Sequence, residues 1–551
     1  EFEPVKLQVT NAWERVLEDN ALVQLERALP GYFLTCRWFG GKGQQIRSIR
    51  NIDVIPFAVD SLNVYLTSWE VQFVGAVAEH YLLPLAFAGG QRGFELRQAN
   101  PQAVIGHLKV SEPHRETEGV IYDALYNASF AKALVAAVAR SRRFKGRNVE
   151  LTTQPSRRFR ELRGDPTTAL EPSLLRGEQS NTSVVYGDRL ILKFFRRVSE
   201  GLNPDLEIGR VLTEQIGFPH TPPLAGAFEL HRGKREPATM GILHGFVANE
   251  GDAWRYTLDR LGHFFDEVLT RRPDNAEAAL PAVSLIDLTD QEIPAIAQEL
   301  IGAYVPSAQR LGQRTGELHL ALASDTRNLA FVPEPFTALD RRSLYQSMRT
   351  LADQSLNLLG KRLKRLPENV RGEADKVLKL ESKIFERFRE ILDVKVTGMR
   401  IRCHGDYHLG QVLFTGKDFV IVDFEGEPAR SLTERRIKRP PLRDVAGMLR
   451  SFSYAAVTKL HGDALRPEDL PQLQPWADFW NFWVSVSYLK GYFSVARDAA
   501  FMPRSRPEIS LLLDLYLLEK AVYELSYELN NRPDWVAVPI AGIIQLTGTN
   551  R

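Results

Sequence analysis

The residues of this chain best suited to chemistry lie in one stretch, Met399 to Glu425, which reads MRIRCHGDYHLGQVLFTGKDFVIVDFE. It holds His404, Asp406, His408 and Gln411, then Asp423-Phe424-Glu425. Two apolar runs, Val412–Phe414 and Phe419–Val422, flank the turn Thr415-Gly416-Lys417-Asp418, so the chain should fold back on itself. That fold-back carries the loop at His404–Gln411 toward Asp423. Carboxylates converging at one end of a hairpin repel each other unless a cation lies between them. Mg²⁺ is the natural ion, being hard and selective for carboxylate and phosphate oxygens. Transfer of a phosphoryl group needs a metal clamp, a base that orients the attacking hydroxyl, and a cation on the phosphates.

Kinase catalytic loops follow H-x-D-x-x-x-x-N, with D-F-G further on. Here Gln411 stands in place of Asn and Glu425 in place of Gly. Gln carries the same amide oxygen on a side chain one methylene longer. Asp406 is therefore expected as the base, with Gln411 and Asp423 as metal ligands. A buried hairpin bearing solvent-facing acids is the bland reading of this stretch. Upstream elements weigh against it. Ser180-Asn181-Thr182-Ser183 precedes the strand-like run Val184–Tyr186, Gly187-Asp188 turns the chain, and Lys193 lies within the returning run Arg189–Phe195. A lysine inside an apolar strand needs a partner, although many such lysines snorkel at a sheet edge. Asn203-Pro204-Asp205-Leu206-Glu207 then opens a helix, with a capping residue, a first-turn proline and acids at the positive end of the dipole. Glu207 is the expected partner of Lys193. The Ser180–Ser183 turn is expected to contact nucleotide phosphates, and Phe246-Val247 to line the adenine. ATP and Mg²⁺ are the implied cofactors.

The elements that must position these groups are legible only in outline. A helix is expected at Asn11–Leu29, strands near Ile46–Phe57, Leu62–Thr67 and Ala76–Leu85, and turns at Gly40–Gly43 and Gly89-Gly90. Helical spacing follows from Asp123 to Arg140, and the basic segment Arg140–Arg147 reads as a solvated helix end. From about residue 250 the pattern is mostly helical. The fold class is thus α+β, a bilobal eukaryotic-protein-kinase-like fold. The expected division is a cap subdomain at 1–105, an N-lobe at 106–248 and a helical C-lobe at 249–551. With 70 basic and 68 acidic residues the net charge is +2, which gives no global pull toward nucleic acid or an anionic membrane. Two cysteines, Cys36 and Cys403, exclude a disulfide framework and suit a cytoplasmic protein. No apolar run approaches membrane-spanning length. The chain begins Glu1-Phe2-Glu3-Pro4 without a methionine, as a fragment or processed product would. His319 and His404 read as hydrogen-bonding or bracing residues.

The runs CHGDYHLGQVL and IVDFEGEPARSLTERRIKRPPLRDVAGMLRSFSYAA closely resemble the maltokinases, bacterial relatives of aminoglycoside and choline kinases. Arg37-Trp38-Phe39-Gly40-Gly41-Lys42 and LEKAVYELSYELNNRPDW, Leu518–Trp535, match as well, so the resemblance spans nearly the whole chain. Gln411 in place of Asn is itself a feature of that family. The resemblance implies transfer from ATP to maltose, giving maltose 1-phosphate and ADP, downstream of trehalose conversion. It also implies an N-terminal cap and a sugar pocket among C-lobe helices, with His408, Tyr454, Lys490, Tyr492, Tyr527, Glu528 and Arg532 as expected contacts. The segment EPVKLQVTNAWERVL is similar to the junction of trehalose synthase–maltokinase fusions, which makes a trehalose synthase an expected partner, covalent or not. Two other readings stay open: a kinase for an aminoglycoside, choline or another sugar, and a nucleotide-binding pseudokinase scaffold.

Overall fold

The computed structural model describes residues 2–59, 62–175, 180–428, 430–462 and 465–548. The chain folds as two units, one of residues 1–217 with 222–248, the other of 218–221 with 249–551.

In the first unit, one seven-stranded sheet runs in the order Val5–Thr10, Val104–Glu112, Arg115–Asp123, Glu79–Gly89, Leu62–Phe73 and Ile46–Val59, with Arg197–Val198 added beside Glu79–Gly89. Side chains alternate across a strand, so this sheet feeds two cores. Val54 and Tyr65 face a core built with the helix Asp19–Thr35, while Ile55, Phe57 and Leu66 face a core shared with the helix Ala128–Ala139. The boundary expected at 105 falls inside the strand Val104–Glu112, and the sheet continues to Asp123. The helix expected over Asn11–Leu29 is displaced. A 3₁₀ turn at Trp13–Leu17 precedes an α-helix at Asp19–Thr35, because Asn11 and Asp19 take φ of +70° and +45°, which interrupts a right-handed helix. Gly89 and Gly90 form no free turn: Gly89 ends a strand and Gly90 opens the helix Gly90–Ala99. Arg143–Lys145, expected as a solvated helix end, forms a short strand at the edge of a second sheet.

That second sheet orders Arg143–Lys145, Glu150–Pro155, Leu224–His231, Ala238–Gly245, β1 (Leu190–Phe195), Asn181–Tyr186 and Pro172–Leu174. β1 thus has a hydrogen-bonded neighbour on both sides, pairing Lys193 with Ile242 and with Ser183.

The second unit is helical apart from two short strand pairs. Its framework is α1 (Tyr304–Leu322), α2 (Ala338–Arg362), α3 (Leu442–Leu460), α4 (Leu470–Ala496) and α5 (Arg506–Asn531). α1 and α4 meet backbone to backbone at two glycines. A Cβ on Gly312 would lie 1.9 Å from the Tyr488 carbonyl oxygen, and one on Gly491 1.8 Å from that of Gln309. Only glycine allows this approach, which sets His319 of α1 against Tyr492 of α4, with Nδ1 3.0 Å from the hydroxyl. Among the described residues no helix is long and apolar enough to cross a membrane.

Candidate active site

The hairpin read from the sequence is present: Val412–Phe414 pairs antiparallel with Phe419–Ile421. The loop before it turns at Gly405, whose φ is +88°. A buried carboxylate holds that turn. Asp444, near the start of α3, accepts the His404 N–H at 2.7 Å on Oδ2 and the Gly405 N–H at 3.0 Å on Oδ1. His319 Nε2 stands 3.2 Å from the same carboxylate. Burial raises the Asp444 pKa, but the His319 hydrogen bond, the fields of His319 and His404 and the Gly405 N–H outweigh it, so the group lies below its ordinary value. His404 spans the loop in turn, its Nε2 2.9 Å from the Val422 carbonyl oxygen. His319 and His404 thus brace the loop through hydrogen bonds.

This bracing presents Asp406. Its backbone N–H donates to His404 Nδ1 at 3.4 Å. Lys520 Nζ of α5 lies 3.7 Å from Oδ1, and His408 Nε2 3.9 Å from Oδ2. The other ring nitrogen of His408 accepts the Gly410 N–H at 3.1 Å, so His408 shapes the loop.

The Val422 N–H donates to the Gln411 carbonyl at 3.0 Å, which sets the backbone before Asp423 beside that of Gln411. Asp423 takes φ of +67°, a left-handed conformation that costs a non-glycine residue ~1–2 kcal/mol and concentrates at functional sites. Its carboxylate comes within 4.8 Å of that of Glu425. Carboxylate oxygens converging on a strained backbone fit a hard divalent cation.

A cavity of about 420 Å³ opens beside Asp406, within the range of small-molecule sites. Its walls come from the loop, α2, α3 and α5, through residues such as Gln354, Glu427, Arg443, Lys520 and Tyr523. The residues expected to contact a sugar lie outside this lining, whereas Asp406, the expected base, is part of it. Tyr492 is fully buried and spent on His319 and, at 3.7 Å, on the Met502 sulfur. Lys490 donates to the carbonyls of Thr289 and Gln291 at 3.1 and 2.5 Å, pinning a loop. Tyr454 donates to Glu528 at 3.3 Å, and Arg532 pairs with Glu528 at 2.7 Å while stacking over Tyr527. Helical spacing shows that these residues share faces, but which face meets the cavity depends on how the helices pack. Asp444, Glu427, Arg443 and Lys520 are the site residues that sequence reasoning passed over. A signal existed for Asp444, a lone acid in the apolar run Leu442–Leu449.

In the first unit, Lys193 Nζ lies 3.2 Å from Asp205 Oδ2, with side chains 16% and 4% exposed. Asn203 caps the helix Pro204–Arg210 as its sequence predicts, accepting the Asp205 N–H at 2.8 Å. Asp205 is thus a partner of Lys193 that the sequence reading did not name, and Glu207, the partner it expected, lies buried on the same helix. Ser180–Ser183 forms no polar turn. Ser180 is an exposed bend, and Asn181, Thr182 and Ser183 begin a strand. Ser183 is buried and Thr182 accepts Arg196 Nε at 2.8 Å, so two of the four are committed to the sheet. The Phe246 N–H donates to the Arg189 carbonyl at 2.8 Å, and Val247 follows at the end of this unit.

Residues 32–127 match the family described as the maltokinase N-terminal cap domain. The glucosamine kinase of Mycolicibacterium smegmatis is 24% identical over 372 residues, covering 66% of this chain and 77% of that protein. That of Streptacidiphilus jiangxiensis is 25% identical over 379 residues, covering 67% and 72%. A solved glucosamine kinase in complex with glucosamine, ADP and inorganic phosphate superposes with a TM-score of 0.57 at 18% identity, over 90% of this chain and 93% of that one. The α+β fold is therefore that of these glucosamine kinases, with a stretch at 32–127 that matches the maltokinase cap domain.

Proposed function

We propose that this kinase transfers the γ-phosphoryl group of ATP to the anomeric hydroxyl of maltose. The observation that carries the reading is Asp406, held by the Asp444-braced loop at the wall of a cavity of about 420 Å³. A base in that position can orient a sugar hydroxyl and accept its proton. The hydroxyl oxygen then bonds to the γ-phosphorus, the bond to the β–γ bridging oxygen breaks, and ADP leaves. Lys193, fixed by Asp205, supplies positive charge for the nucleotide phosphates. Asp423 and Gln411 would hold Mg²⁺, with Glu425 nearby. Such an ion, when bound, would supply positive charge to offset that of the phosphates. The cap supports maltose as acceptor, because the matching family is the maltokinase one.

A second acceptor class has an observation in its favour: the curated relatives are named glucosamine kinases. ³¹P NMR with ATP, Mg²⁺ and separate sugars decides between them. A maltose-dependent anomeric phosphate signal with matching ADP release supports the proposal. Transfer confined to glucosamine or an aminoglycoside replaces the acceptor, and nucleotide binding without transfer to any acceptor returns the pseudokinase reading.

A further inference from the structure

The cavity beside Asp406 is lined by charges that are already matched. Glu427 is held by Arg443 at 2.8 Å and by Arg430 at 2.5 Å. Glu519 faces Arg443 at 3.9 Å. Asp444 is engaged by two backbone N–H groups and by His319. Asp406 has Lys520 at 3.7 Å. The Lys520 ammonium is also placed 4.9 Å from the centre of the Tyr523 ring, which fixes it on the cavity wall. Each acid lining the cavity thus has a cation or a hydrogen-bond donor against it, so its negative charge is already offset before a sugar enters.

We propose that Lys520 makes the acceptor pocket reject protonated amino sugars and select neutral polyhydroxyl ones. The inference rests on reading this cavity as the sugar-acceptor site. The hydroxyl that gives its proton to Asp406 must come within hydrogen-bond reach of that carboxylate. A substituent on the neighbouring ring carbon then lies close to Lys520 as well. A hydroxyl there accepts a hydrogen bond from the lysine. An ammonium there meets a like charge at short range in a partly dehydrated site and loses its own hydration without gaining a partner. Building repulsion against the wrong ligand is a recognised route to specificity.

Glucose and glucosamine test this, since they differ only in carrying a hydroxyl or an ammonium beside the anomeric carbon. The ratio of their kcat/KM values, glucose over glucosamine, is measured for the wild type, Lys520→Gln and Lys520→Arg, with product position read by ³¹P NMR. A wild-type ratio above tenfold is expected. It should fall at least tenfold in Lys520→Gln and persist in Lys520→Arg. The ratio is independent of any general loss of activity. If Lys520→Gln does not turn over, calorimetric binding of the two sugars to the nucleotide-loaded protein gives the same comparison. A Lys520→Gln ratio equal to the wild type's overturns the proposal alone and leaves Lys520 as a positioning group for Asp406. A wild type that prefers glucosamine overturns it too. A wild type that transfers phosphate to no sugar overturns the reading of the cavity itself, and this proposal with it.

Discussion

Asp444 binds His404 by its backbone rather than its side chain: the carboxylate accepts the His404 N–H at 2.7 Å from forty residues away. The same group takes the Gly405 N–H, so one buried acid fixes the backbone on which Asp406 is mounted. Asp444→Ala leaves the buried His404 N–H and the part-buried Gly405 N–H without this acceptor, at a cost of ~1–3 kcal/mol for a buried donor. We expect a loss of about 3 kcal/mol or more in urea unfolding. Residual folded protein should show a larger fall in kcat than change in KM. Unaltered unfolding would remove Asp444 as the brace.

Asp406→Asn keeps the shape of the site but cannot accept a proton. Turnover should drop by ~10²–10⁴-fold. Nucleotide affinity, followed with a fluorescent ATP analogue, should stay near wild type. Activity within threefold of wild type would mean that another group serves as the base.

Lys193→Met removes the charge that Asp205 positions in the first unit. A hydrogen bond to a charged group contributes ~1.5–3 kcal/mol, so the Kd for ATP should rise by roughly 10–100-fold. The sugar KM, measured at saturating ATP, should change little. Equal effects on both substrates would point to a folding defect, which a thermal melt would reveal.

Glu427 makes stability depend on pH. Its burial raises its pKa, but Arg443, Lys520 and Arg430 outweigh that and hold it at about 2, against 4.5 for an ordinary glutamate. A depressed folded pKa stabilises above the unfolded value and is lost as pH falls through the folded one. The group therefore supplies its full contribution above about pH 4.5, worth ~3 kcal/mol, and loses it progressively toward pH 2. In Glu427→Gln the melting temperature should be lower at pH 7 and fall less steeply between pH 5 and pH 3. Parallel curves for the two proteins would show that other acids govern this range.

Gly447 packs α3 against the loop. A Cβ there would lie 2.5 Å from the Tyr407 carbonyl oxygen, next to Asp406. Gly447→Ala must push the loop or the helix aside. Overpacking costs ~1–3 kcal/mol, and a displacement near 1 Å can cost about 10²-fold in rate. We expect a modest fall in Tm with a disproportionate fall in kcat. A wild-type rate would show that the loop tolerates the shift.

The sequence by itself determined the local features. The hairpin Val412–Phe414 with Phe419–Ile421 follows from two apolar runs around a glycine turn, and the Asn203 cap from residue type and position. Such signals are short-range, so they survive in a linear reading. The placement of Lys193 inside a strand is of the same kind. Exact neighbours were less legible. The reading paired Lys193 with Glu207 and did not foresee Asp205, which lies on the same helix 3.2 Å from the ammonium. It read Ser180–Ser183 as a turn, although three of the four residues begin a strand. Its expected sugar contacts Lys490 and Tyr492 are spent on a loop and on His319. Only the tertiary structure decided that Asp444 reaches the His404 loop and that Lys520, more than a hundred residues on, stands beside Asp406. Helical periodicity says which residues share a face, but the packing of α3 and α5 around the loop decides which face meets the cavity, because that choice is made by contacts between segments distant in sequence.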